Sequence, residues 1–133
     1  MYQVILISHG KLAAGMMDSA RLILGEQERG ETFELALGDD IEAFRDRVTE
    51  AVERALKSGD VLVLTDIQSG SPFNVTVGIM TGHQVYHITG MNLPVVIEAL
   101  SCRDTDRLSD KIEELTEIGK QGIIDVNRLL EQA

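Results

Sequence analysis

His9, Asp66 and Ser71 are the residues of this 133-residue chain whose types and surroundings suit them to group-transfer chemistry. His9 stands between Ser8 and Gly10 at the end of the apolar run "VILI". Buried strands usually finish in turn residues, so an imidazole in that place is presented where a partner can reach it. Asp66 closes a second apolar run, "VLVLT", and Ser71 lies in "SGSPFN", residues 69–74. A carboxylate that accepts a hydrogen bond from one ring nitrogen of a histidine fixes the tautomer and leaves the other nitrogen as a lone-pair nucleophile. Gly70 lets the backbone approach a ligand closely, Ser71 supplies a hydroxyl, and the free N–H groups of a following helix make an anion site. The sum reads as a histidine that becomes phosphorylated.

For these groups to meet, the elements must form a parallel sheet. Val4 to Ile7 is apolar without alternation, the mark of a strand buried on both faces. Beyond Gly10, Leu12, Met16, Ala20, Ile23 and Leu24 recur at helical spacing, and Gly25 ends that helix. "TFELAL", Thr32 to Leu37, reads as a second strand. Asp39 and Asp40 offer an N-cap to a helix with Ile41, Phe44, Val48, Ala51, Val52 and Ala55 on one face, stopped by Gly59. Val61 to Asp66 is the third strand. Ser71 as N-cap with Pro72 at the first helical position starts a helix running to about Met80. Val85 to Thr89 is the fourth strand, Pro94 to Leu100 a helix, and Ser109 to Lys120 an amphipathic helix. The tail after Gly122 fits either continued helix or a short antiparallel edge strand.

Strands alternating with helices over this length predict one α/β domain spanning residues 1–133. The expected architecture is a three-layer α/β/α open, mainly parallel sheet with flavodoxin-like strand order 2-1-3-4. In such a sheet, ligands sit outside the carboxyl ends of the strands at the switch point between the first and third strands. Those are the strands that end in His9 and Asp66. Gly10, Gly70 and Ser71 are the candidate phosphate-binding residues, and Ser69, Phe73, Met91 and Asn92 the expected walls of the crevice.

The bulk numbers exclude several classes. A net charge of −10, from 12 basic and 22 acidic residues, argues against nucleic acid and suits a partner with a basic face. The apolar runs are far shorter than the ~20 residues of a membrane-spanning helix. The start "MYQVILISHG" lacks the basic segment of a signal peptide and reads as a core strand of a cytoplasmic protein. A single cysteine, Cys102, excludes an intramolecular disulfide, and its place at a helix end reads as packing. His83 and His87 are four apart, a spacing that binds metal on a helix, but they flank a strand without a further ligand. No metal site and no cofactor is expected. Met16, Met17 and Met80 read as gap fillers of the core.

Four blocks, "ILISHG", "LILGEQE", "LVLTD" before "GSPFN", and "GMNLPVVIEAL", occur in this order along the chain. Through them the chain resembles the enzyme IIA components of the mannose family of the bacterial phosphoenolpyruvate-dependent sugar phosphotransferase system. The resemblance implies a phosphotransferase component whose His9 takes a phosphoryl group from the carrier protein HPr and passes it to a IIB component, which works with membrane subunits. It implies that Asp66 orients the imidazole, that Ser71 contacts phosphate, and that the chain dimerises, with its C-terminal tail able to supply an edge strand. The family commonly has two glycines before "SP", where this chain has Ser69-Gly70. Two rival readings also carry a phosphorylated histidine: the carrier subunit of a dihydroxyacetone kinase, and a histidine-phosphatase-type hydrolase. The latter places Arg before its His, where Ser8 stands here.

Overall fold

Alternate residues of the first strand feed two different cores, which is why its sequence shows no polar alternation. In the computed structural model, which describes residues 1–104 and 107–132, β1 spans Gln3–His9. Val4 and Leu6 point into one cluster with Leu62 and Leu64. Ile5 and Ile7 point into the other with Val61 and Val63. The chain continues through α1 (Leu12–Leu24), β2 (Gly30–Leu35), α2 (Ile41–Leu56), β3 (Val61–Thr65), α3 (Ser71–Met80), β4 (Tyr86–Thr89), α4 (Leu93–Ser101), α5 (Leu108–Gln121) and α6 (Val126–Glu131).

The four strands form one parallel sheet in the order β2-β1-β3-β4, as the alternation of elements predicts. Ala13, Met17 and Ala20 of α1, Val95 and Val96 of α4, and Leu108 and Leu115 of α5 cover one face. Phe44, Val48 and Val52 of α2 with Val75 and Ile79 of α3 cover the other. The molecule is thus the expected three-layer sandwich. Full burial of side chains such as Leu6 and Ile7 contributes on the order of 1.5–3 kcal/mol each.

Several local readings change. On α1 the buried face is Ala13, Met17 and Ala20, while Leu12 and Ile23 face solvent, and Met80 at the end of α3 is exposed instead of filling the core. β2 stops at Leu35 because the Asp39 carboxylate takes the Ala36 N–H at 2.7 Å while the Asp39 N–H donates to the Ala36 carbonyl. That closed turn leaves Leu37 fully exposed instead of in the strand. α3 is capped by Gly70, not Ser71; Ser71 is its first residue and Pro72 follows. Gly70 wins because its φ of 90° is open to glycine and strained for serine. The tail adds no strand among the described residues: Asp125 caps α6 by accepting the Arg128 N–H, and the chain turns helical there.

Candidate active site

The site grows from the end of β1. Ser8 is fully buried, and its Oγ accepts the Ala13 N–H at 2.8 Å and donates to the Gly10 carbonyl at 3.1 Å. Lys11, in the capping position of α1, makes no side-chain cap, so Ser8 serves the helix start from the strand. Gly10 takes a φ of 59° to make the turn, and its N–H donates to the Leu35 carbonyl of β2. A strand ending in Ser-His-Gly therefore turns sharply into α1 and leaves His9 outside.

Asp66 holds that histidine at two points. Its Oδ2 accepts the His9 backbone N–H and lies 2.8 Å from His9 Nδ1, while Oδ1 accepts the Ile67 N–H. A carboxylate only accepts, so Nδ1 carries the hydrogen and Nε2 keeps its lone pair in the neutral ring. The imidazole is half exposed, with 46% of its side-chain surface open, against 8% for Asp66. Burial by itself would raise the Asp66 pKa, but the hydrogen bonds from the His9 backbone, the His9 ring and the Ile67 N–H outweigh it and hold it below the usual carboxylate value.

The free nitrogen looks at α3. A Cβ on Gly70 would fall 2.7 Å from His9 Nε2 and 2.8 Å from Cε1, so the bare Gly70 backbone lies directly against the edge of the ring that carries Nε2. Pro72 has no N–H and Asn74 donates to the Gly70 carbonyl. The N–H groups of Ser71 and Phe73 therefore have no acceptor within the helix. The arrangement is a lone-pair nitrogen beside the positive end of a ten-residue helix.

His9, Gly10, Asp66, Gly70 and Ser71 thus come together at the switch point between β1 and β3. Ser69 is exposed in the loop before α3, and Phe73 is half-buried in its first turn. Met91 and Asn92 are engaged elsewhere. The Met91 side chain is buried in the core under α4. The Asn92 amide caps α4 by accepting the Val95 N–H and donates to the Gly119 carbonyl at 2.7 Å. Among the described residues no cluster of three His, Cys, Asp or Glu side chains could hold a metal, and no helix is long and apolar enough to cross a membrane.

Sequence reasoning missed the polar group next to Asp66. The Thr65 hydroxyl, fully buried, lies 2.8 Å from both His87 Nε2 and Thr89 Oγ1. The signal was available: His87 and Thr89 are two apart on a strand, hence on one face. The four-residue spacing to His83 points toward metal chemistry, whereas the ring's partner is Thr65.

Such a fold and site define an α/β domain with one half-exposed, carboxylate-held imidazole at its switch point. The family described as EIIA-man, PTS system fructose IIA component, matches residues 3–116, and the chain belongs to it. It is 30% identical over 122 residues to the PTS system mannose-specific EIIAB component of Escherichia coli (strain K12), which covers 90% of this chain and 38% of that protein. It is 27% identical over 122 residues to the PTS system fructose-specific EIIA component of Bacillus subtilis (strain 168), covering 91% and 84%. The crystal structure of the PTS IIA protein associated with the fucose utilization operon from Streptococcus pneumoniae superposes with a TM-score of 0.90 at 29% identity, covering 97% of this chain and 96% of that one.

Proposed function

We propose that this chain is the phosphoryl carrier of a sugar phosphotransferase system and that His9 Nε2 is the atom phosphorylated. The observation that carries this reading is the division of labour around one ring: Nδ1 is spent on Asp66, and Nε2 faces Gly70 and the start of α3. In the forward step the Nε2 lone pair forms a bond to phosphorus as the donor's P–N bond breaks, and that bond's electron pair returns to the donor imidazole. Both nitrogens of the product ring are substituted and the ring is formally cationic, which the ionised Asp66 offsets. In this reading the Ser71 and Phe73 N–H groups and the Ser71 hydroxyl contact the phosphoryl oxygens, and little else is asked of the protein than positioning. The reverse geometry delivers the group to the next acceptor.

The donor in this reading is HPr and the acceptor a IIB component, both in the cytoplasm. The net charge of −10 suits carriers that present basic faces, with encounter rates that fall as salt rises. A homodimer is part of the proposal. Ile123, Ile124, Val126, Leu129 and Leu130 of the tail are 54–83% exposed, more apolar surface than a short segment leaves to water without a partner. The hydrolase reading is disfavoured at Ser8, whose hydroxyl is committed to Ala13 and Gly10 and offers no grip on phosphate.

The test is the intact mass of the protein after incubation with phosphoenolpyruvate, enzyme I and HPr. The expected result is one acid-labile phosphoryl group, absent in a folded His9→Ala variant. No mass gain with a competent HPr overturns the carrier reading.

A further inference from the structure

Asp66 and Gly70, which address the two nitrogens of His9, sit on separate elements, and a single side chain from a third element touches both neighbourhoods. That side chain is His87 of β4. Its Nε2 lies 2.8 Å from the hydroxyl of Thr65, the residue before Asp66. Its ring lies 5.3 Å, centroid to centroid, from the ring of Phe73 in the first turn of α3, tilted by 44°. The register explains both contacts. Val63 pairs with His87 and Thr65 with Thr89, which puts His87 and Thr89 on the face of the sheet that α3 covers.

Thr65 is the hub. Its hydroxyl donates to Thr89 Oγ1 and so accepts from His87, whose Nε2 then carries the ring hydrogen. Its carbonyl accepts the N–H groups of both Gly90 and Met91, each at 3.0 Å. The Thr65–Asp66 peptide is thereby fastened through its side chain to β4 and through its carbonyl to the turn that follows β4. An apolar residue in place of His87 would leave the fully buried Thr65 hydroxyl with one partner fewer and Phe73 without its neighbouring ring. Burial pushes the His87 pKa down to about 4, so the ring is neutral in the folded protein and able to serve as this uncharged strut.

We propose that His87 is a positioning residue for His9: through Thr65 it sets the carboxylate that holds Nδ1, and through Phe73 it sets the helix turn that faces Nε2. His87 touches neither the imidazole nor a phosphoryl group; it acts by keeping the end of β3 and the start of α3 in one fixed relation. A misplacement of reacting groups by about 1 Å is enough to cost up to about a hundredfold in rate. This role presupposes the carrier reading for its kinetic effect, but its structural effect on the His9 ring does not depend on it.

The experiment compares wild type with His87→Ala, His87→Gln and Thr65→Val. The two readouts are the ¹⁵N spectrum of the His9 ring and single-turnover phosphoryl transfer from phospho-HPr. In His87→Ala the His9 ring is expected to move from one tautomer, hydrogen on Nδ1, toward a mixture. Transfer at saturating donor should fall roughly ten- to hundredfold with the KM for HPr unchanged. His87→Gln, whose amide can still donate to Thr65, should recover most of both. Thr65→Val keeps the shape, loses the hub hydroxyl and carries the same expectation where His87→Ala does not fold. A folded His87→Ala or Thr65→Val protein with the wild-type His9 spectrum and the wild-type rate overturns the proposal. Should wild type itself accept no phosphoryl group, the carrier reading fails, and the His9 tautomer ratio in the variants still decides the role of His87.

Discussion

Gly70 lies so close to His9 that a single added carbon would sit 2.7 Å from Nε2. Alanine there meets two penalties: a φ of 90°, strained by about 1–3 kcal/mol for a residue with a Cβ, and contact with a ring that Asp66 holds in place. Gly70→Ala should remain folded with a lowered Tm and lose on the order of a hundredfold in phosphoryl acceptance. Gly38→Ala supplies the control. Its φ is 85° and nothing lies within 4 Å of the added carbon, so it should show the strain in Tm and leave transfer unchanged.

Asp66→Asn keeps the shape and removes the charge. An amide can present its N–H to Nδ1 and reverse the tautomer, putting the hydrogen on Nε2 where the lone pair is needed. Transfer from phospho-HPr should slow by about a hundredfold or more without vanishing, because general positioning survives. Stopped-time mass measurements read the rate, and a rate equal to wild type would remove Asp66 from the mechanism.

Ser8→Ala tests the turn out of β1. It strips the acceptor from a buried Ala13 N–H and should destabilise the fold by about 1–3 kcal/mol. The urea midpoint should drop with an unchanged m-value, and the ¹⁵N spectrum of His9 should report any loosening of the site.

The pH dependence of stability should have two flanks set by two histidines. His83 lies 3.1 Å from the Ile79 carbonyl and 3.0 Å from Glu53 Oε2, two groups that only accept, so the protonated ring, with both nitrogens donating, is the form the site favours. Its pKa is raised, first by the Glu53 carboxylate, so its contribution is complete below about 6.5 and is lost as pH climbs through the raised folded value. Arg45 lines the same cavity and is engaged with Glu42. His87 works in reverse. With its folded pKa pushed down to about 4, the unfolded chain binds a proton that the folded one does not, and stability falls as pH drops from about 6.5 toward that value. Urea midpoints against pH should flatten on the alkaline side in His83→Gln and on the acid side in His87→Gln.

The strand order, the buried face of α2 and the meeting of His9 with Asp66 are legible because they follow from period and position; on α1 the small Ala13 and the neighbouring Met17 take the core face that spacing assigns to Leu12 and Ile23. Apolar runs without alternation mean strands covered on both sides, and the switch point follows from parallel topology. Serine before proline is a local cap signal that points to Ser71, whereas the chain needs a positive φ at the cap and only Gly70 supplies it cheaply. Met91 and Asn92 lie in the right loop, but where a side chain points depends on packing partners distant in sequence, here the core under α4 and the Gly119 carbonyl. The Thr65–His87 contact depends on register between strands 22 residues apart, which no local pattern encodes.

The central place of β1 has a consequence for how the chain comes together. Val4 pairs with Gly30 on one side and Leu62 on the other, so the strand nearest the start of the sequence is finished only when β3 has been made. Until then its Ile5 and Ile7 lack Val63 and Val75, and Val4 and Leu6 wait still longer for Leu115 of α5. During synthesis at about 5–20 residues per second, an apolar strand with an open edge stays exposed for several seconds. Parallel pairing of this kind is slow and prone to wrong association. The nascent chain should therefore lean on a holding factor over this interval, and its yield should respond to the speed of translation through β2 and α2 more than to the stability of the finished fold.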